Sequence, residues 1–378
     1  MLKTHNVGIL GFGFIGKVHA YGHLNLPFFY DPLPLRTRIT HVCTSRAETA
    51  ETGRALVHAD VATTDYRQIT ENPDIDIVHI CTPNHLHKEA LLSAMAHQKH
   101  IYCDKPLVAD GAETAVVKRA LADYRGTAQM TFQIRFSPGV MRARQLIEEG
   151  RLGRILEYRA EFLHSGSADP DAPLKWKLSA EAGGGVIADL ASHVLDVMHS
   201  LAGDYRALTA TTSIAFPERP LPGGSGRKAP VEAEDCVMLL TRMANGATGF
   251  IEGTKIATGS EDELRFEIHG TKGALRYNQM HPHFLEFFDA TAADQPLGGV
   301  RGWTQIAVGQ RFPPPANGFP APKAAVGWMR GHIACLANFL YDVAAGKPGS
   351  PGLAQGIYVQ ELMDACRRSA RERQWVDV

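Results

Sequence analysis

Three polar side chains have the types and spacing to do chemistry. Asp189 and His193 stand four residues apart in a segment that reads as a helix from Val186 to Leu201, so their side chains are neighbours. A carboxylate beside an imidazole is what a general base needs: the carboxylate orients the ring and stabilises the imidazolium that forms. The same pairing also serves as a plain ion pair on a helix face. Lys105 belongs to Asp104-Lys105-Pro106, directly after the apolar run His100–Cys103. If that run is a strand of an open parallel sheet, Lys105 lies beyond its carboxyl end, where such sheets bind ligands; otherwise it is a surface lysine in a loop.

A dinucleotide site accounts for a second set of residues. Gly11-Phe12-Gly13-Phe14-Ile15-Gly16 follows the apolar run Val7–Leu10 and precedes a helix-compatible stretch, Lys17–Leu26, that stops at Pro27. Strand, G-x-G-x-x-G and helix in that order make a dinucleotide fingerprint: one glycine for the turn, one for pyrophosphate approach and one for helix–strand packing. The free N–H groups at the helix start then hold phosphate charge. The second strand, Arg38–Thr44, ends in Thr44-Ser45-Arg46, with no carboxylate for a ribose 2′-hydroxyl. A guanidinium there suits a 2′-phosphate, so NADP is favoured over NAD, unless Arg46 is a solvated helix opener or Glu48 reaches the ribose. Asp74–Thr82 reads as a buried strand running into Pro83-Asn84-His85-Leu86-His87, which places Thr82, Pro83, Asn84 and His87 at the cofactor side. His85 and His87 lack a third ligand nearby, so no metal is expected.

The elements that position these groups separate into two halves. Strands alternate with helices up to about residue 130, which means a doubly wound parallel sheet. The segment Gln129–Phe136 alternates like a further strand, and Ser137-Pro138 opens a helix that stops at Gly150. From Ala207 to Ala290 the pattern becomes antiparallel strands, with tight turns at Asn245-Gly246 and Gly270–Gly273. Residues 217–230 and 291–322 read as long Gly/Pro-rich loops, and Val326–Ala345 and Leu353–Arg371 as closing helices. Trp176 suits either a core or the cover of a bound ring. The domains are therefore expected at 1–130 and 131–378.

Composition narrows the class. The 378 residues carry a formal charge of −1, which speaks against a nucleic-acid surface. No apolar run is long enough to span a bilayer, and the first strand begins too early for a signal peptide. Six cysteines without a C-x-x-C pair read as reduced, buried thiols, so a cytoplasmic location is expected.

These motifs, taken together, resemble the glucose–fructose oxidoreductase and inositol dehydrogenase family of sugar and polyol dehydrogenases. VGILGFGFIG, CTPNHLH, Asp104-Lys105-Pro106 in place of Glu-Lys-Pro, AGGGVIADLASHVLD and the segments GWMRGHIACLANFL and QELMDACRRSARERQWV carry the likeness along nearly the whole chain. The resemblance implies an α/β fold: an N-terminal Rossmann domain followed by an α+β domain with a large open, mostly antiparallel sheet. It implies NAD(P)-dependent hydride transfer at a carbinol carbon of a sugar, sugar derivative or cyclic polyol. It brings Lys105, Asp189 and His193 together in an interdomain cleft, with His193 as base and Lys105 as donor to the carbinol oxygen. Gln133, where many relatives carry Asn, and Trp176-Lys177, where relatives carry Trp-Arg, are implied to touch substrate or nicotinamide. A homo-oligomer, dimer or tetramer, is implied through the second domain's sheet. The alternatives are a catalytically silent dinucleotide sensor on the same fold, or a glycosidase working by transient oxidation with bound cofactor.

Overall fold

The computed structural model describes residues 3–223, 226–316 and 318–378. They form two compact units. The first runs to Gln133 and also takes Phe312–Ala321 and Trp328–Gln360; the second comprises Ile134–Arg311, Pro322–Gly327 and Glu361–Val378. The closing helices are thus divided between the units, where the sequence suggested a single cut near residue 130.

In the first unit, β1 (Thr4–Leu10), α1 (Phe14–Phe29), β2 (Arg36–Cys43), α2 (Ala47–Val57), β3 (Val61–Thr63), α3 (Arg67–Thr70), β4 (Ile77–Ile80), α4 (His87–Ala96), β5 (His100–Cys103), α5 (Gly111–Ala120) and β6 (Ala128–Met130) alternate. The six strands are parallel in the order β3-β2-β1-β4-β5-β6. All four residues of β4 are buried, as expected where helices cover both faces of a parallel sheet. Helix α1 continues past the stop the sequence suggested and contains Pro27 in its last turn. Pro27 has no N–H to donate to the His23 carbonyl, so α1 is short of one i→i−4 bond in its last turn. The strand expected over Gln129–Phe136 is shorter. β6 ends at Met130, paired with Cys103, and Gln133–Phe136 winds into a 3-10 turn.

The second unit holds α6 (Pro138–Glu148), β7 (Ile155–Leu163), α7 (Ser192–Ala202), β8 (Tyr205–Ser213), a ribbon of β9 (Glu218–Pro220) and β10 (Lys228–Pro230), then β11 (Cys236–Met243), β12 (Thr248–Thr254), β13 (Glu263–Gly270), β14 (Gly273–Asn278), β15 (Phe284–Asp289) and β16 (Trp303–Ala307). In chain order α8 (Trp328–Ala344), which belongs to the first unit, and α9 (Leu353–Glu372), which is divided between the units, come next, and then β17 (Val376–Asp377) in the second unit. The nine-stranded sheet has the order β16-β15-β14-β13-β7-β12-β11-β8-β17. Every neighbour pair is antiparallel except β7 with β12. Both turns read from Asn245-Gly246 and Gly270–Gly273 join hairpins, β11–β12 and β13–β14. The two loops expected at 217–230 and 291–322 are partly ordered as strands, since they carry β9, β10 and β16. Gly224, Ser225 and Asn317, within those loops, lie outside the described residues.

The helix expected from Val186 differs at its start. Ile187–Ala191 is a π-turn, and regular α-helix begins only at Ser192. The Ser192 hydroxyl donates to the Ala188 carbonyl at 2.7 Å, a back-bond that competes with the regular helix ladder. Such π-turns are frequent at functional sites.

Candidate active site

In the first unit the glycine loop bends between β1 and α1. Gly11 has φ +86°, and a Cβ there would strike the Cys81 carbonyl at the end of β4. A Cβ at Gly16 would strike the Gly11 carbonyl, so α1 packs closely only with glycine at that position. A Cβ at Gly13 would meet nothing within 4 Å, which leaves room over the loop. Gly13 caps α1 with no side-chain hydrogen bond, and Phe14 is exposed. Phe12 and Ile15 are half-buried beside it. At the end of β4, Thr82 Oγ1 is buried without a hydrogen-bond partner. A free helix start, an open glycine and an orphaned hydroxyl at the strand ends fit a bound dinucleotide.

The turn bearing Lys105 is held from two sides. The His87 ring, fully buried, lies with Nε2 2.8 Å from the Thr82 carbonyl and Nδ1 3.0 Å from the Pro106 carbonyl. Burial pushes the His87 imidazole below its ordinary range, against the opposing pull of those carbonyls. His87 therefore ties the β4 loop to the Lys105 turn. Asp104 accepts a hydrogen bond from the Thr131 hydroxyl at 2.6 Å. Lys105 itself is half-buried, as are Thr82 and Pro83, while Asn84 and Gln133 are buried.

After β2, Thr44 turns its hydroxyl inward, donating to the Arg46 carbonyl at 2.8 Å and meeting the Thr49 hydroxyl at 2.6 Å. Ser45 and Arg46 are exposed, and Arg46 caps α2. Glu48 sits in the first turn of α2, also exposed.

In the second unit, Gly183–Gly185 lead into the π-turn. Gly185 has φ +99°, and a Cβ there would strike the Glu234 carboxylate. That carboxylate accepts from Ile187 N at 3.0 Å and so anchors the start of the segment that carries Asp189 and His193. His193 is 6% exposed, with its ring edge-on to Phe162 at 5.9 Å. Asp189 is gripped by two lysines: Lys177 Nζ at 2.9 Å and Lys255 Nζ at 2.9 Å. Trp176 is 40% exposed, which removes it from the core, and the Lys177 ammonium lies 6.0 Å from its ring centre.

Lys255, Glu234 and the Arg135–Asp196 pair carry no signal in the sequence pattern. Lys255 and Glu234 come from strand ends remote in sequence from the helix they hold. Arg135 makes a two-pronged pair with the fully buried Asp196, at 2.5 Å on each oxygen, and so fixes the 3-10 turn after Gln133 to α7. Breaking such a buried pair from one side typically costs about 3–5 kcal/mol. His87 was read as a cofactor neighbour, with no sign of its bracing role. Among the described residues there is no group of three or more His, Cys, Asp or Glu that could hold a metal, and no helix long and apolar enough to cross a membrane.

A parallel dinucleotide sheet joined to a mixed, largely antiparallel one defines a Rossmann-type oxidoreductase. Residues 5–132 match the model of the oxidoreductase family with NAD-binding Rossmann fold, and residues 140–276 match the GFO/IDH/MocA C-terminal domain. The chain is 36% identical to levoglucosan dehydrogenase of Pseudarthrobacter phenanthrenivorans, over 100% of this chain and 99% of that one. It is 25% identical to inositol 2-dehydrogenase of Rhizobium meliloti, over 99% of each. A solved structure of levoglucosan dehydrogenase in complex with NADH and levoglucosan superposes with a TM-score of 0.92 at 35% identity, covering 100% of both chains. The chain belongs to the GFO/IDH/MocA family of oxidoreductases. It is an NAD(P)-dependent dehydrogenase of sugar or polyol hydroxyl groups, with an NAD-binding Rossmann domain.

Proposed function

We propose that this dehydrogenase oxidises a ring hydroxyl of levoglucosan or a closely similar sugar. The end-to-end likeness to levoglucosan dehydrogenase, including its sugar complex, is the observation that carries the reading. His193 takes the proton from the reacting hydroxyl. Lys105 donates a hydrogen bond to the same oxygen, and Asp189 holds the base region in place. Gln133 and Trp176 contact the sugar. Gly11 to Gly16, Thr82, Pro83, Asn84, Asp104, Gln133, Trp176 and Lys177 surround the dinucleotide, and the oxidised nicotinamide supplies the hydride acceptor when bound. Initial rates of cofactor reduction with levoglucosan, myo-inositol, scyllo-inositol and D-xylose test the substrate. The highest kcat/KM is expected for levoglucosan, and a tenfold preference for an inositol or for xylose overturns the choice.

Cofactor preference rests on the turn after β2. No carboxylate stands between Cys43 and Ala47, while Ser45 and Arg46 face solvent there. Each hydrogen bond to a charged group contributes about 1.5–3 kcal/mol, so Ser45 and Arg46 on a 2′-phosphate favour NADP over NAD by about tenfold or more. Arg46→Ala is expected to erase most of that ratio of kcat/KM values. A parent that prefers NAD, or a ratio that survives the substitution, contradicts this reading.

The reading includes a homo-oligomer, dimer or tetramer, built on the nine-stranded sheet. Met238 and Leu240, two residues apart on β11 and therefore on one face, are 43% and 52% exposed. Leu240→Asp is expected to lower the mass measured in solution at working concentration, and a monomeric parent rules the assembly out. Six free, buried cysteines support a reducing, cytoplasmic setting.

A further inference from the structure

Lys255 follows the last residue of β12 and is only 7% exposed. Its Nζ lies 2.9 Å from Asp189 Oδ2. Lys177 reaches the same carboxylate, 2.9 Å from Oδ1 and 3.1 Å from Oδ2. The two lysines differ in solvation: the Lys177 side chain is 48% exposed and that of Lys255 is 9% exposed. Exposed ion pairs contribute little, whereas a buried ammonium is tolerated only when paired. The backbone around Lys255 is itself fixed, because its N–H donates to the Asp235 carbonyl at 2.9 Å and its carbonyl accepts from Ser167 N at 2.8 Å. His164, whose backbone N–H donates to the carbonyl of the adjoining Thr254, is engaged with Asp262 at 2.9 Å.

We propose that Lys255 is a positioning residue of the reaction. Its buried ammonium fixes the Asp189 carboxylate in one orientation, on the turn that precedes His193. Lys177 supports the same carboxylate from its solvent-exposed position. This rests on the reading of Asp189 and His193 as the base machinery.

The test uses the full-length protein with NADP or NAD and the best sugar. Lys255→Met keeps the apolar stem and removes the charge; kcat is expected to fall about ten- to a hundredfold, the scale of a misplaced reacting group. The melting temperature serves as the control that each variant is folded. In Lys255→Ala, added methylammonium or ethylammonium is expected to restore kcat severalfold, where ethanol does not. Recovery by an amine is not expected of a residue that only packs. A folded Lys255→Met with parental kcat, or a folded Lys255→Ala that amines leave unchanged, overturns the proposal and leaves the base reading standing. A parent without sugar-dependent cofactor reduction overturns the base reading, and this proposal with it.

Discussion

Replacing Lys105 by alanine is expected to lower kcat by roughly two to four orders of magnitude, the range typical of lost acid–base assistance. The prediction follows from where the lysine sits. It stands just past the end of β5, on a turn braced by the His87 ring and by Asp104 with Thr131. That bracing comes from the His87 ring and from the Asp104–Thr131 hydrogen bond. Thermal stability should therefore change little, as for a half-buried side chain outside the core. The loss should appear in kcat and kcat/KM together, because the hydrogen bond strengthens as charge grows on the oxygen. Near-normal turnover at saturating sugar refutes the role.

His193→Ala is expected to produce a loss of similar size, roughly two to four orders of magnitude, with a second signature in the pH profile. The parent's kcat/KM should rise with pH as the base loses its proton, and the variant's acid limb should be flat. His193 is buried against Phe162, so the substitution also leaves a cavity, and some fall in melting temperature is expected. The pH profile separates the two effects, since a cavity lowers the rate at every pH. An acid limb that stays where it was shows that another group is titrating.

The sequence made part of this site legible and hid the rest for physical reasons. Local signals were read correctly where chain neighbours decide structure. The glycine loop, the buried run of β4, the strand before Lys105 and the two hairpin turns all depend on residues within a few positions of one another. Boundaries failed where tertiary contacts take over. Alternation over Gln129–Phe136 suggested a strand, but β6 loses its partner after Met130 and the chain turns so that Arg135 can meet Asp196. Asp189 and His193 are proposed from a spacing of four on an expected regular helix, whereas Asp189 lies in the π-turn before it. The two lysines on Asp189 are not legible there, because Lys255 lies 66 residues away in sequence. The type of His87 suggests a place beside the cofactor but gives no sign of its contacts with the Thr82 and Pro106 carbonyls, which come from chain folding back on itself.

The central claim is net hydride transfer from a sugar hydroxyl to added cofactor. Its most direct test incubates the protein with excess NAD or NADP and a limiting, known amount of levoglucosan, and measures reduced cofactor against sugar consumed. One reduced nicotinamide is expected for each sugar oxidised. Sugar consumed without accumulation of reduced cofactor points to transient oxidation by a tightly held cofactor, and no consumption of any sugar in the panel points to a silent dinucleotide sensor; either result contradicts that claim.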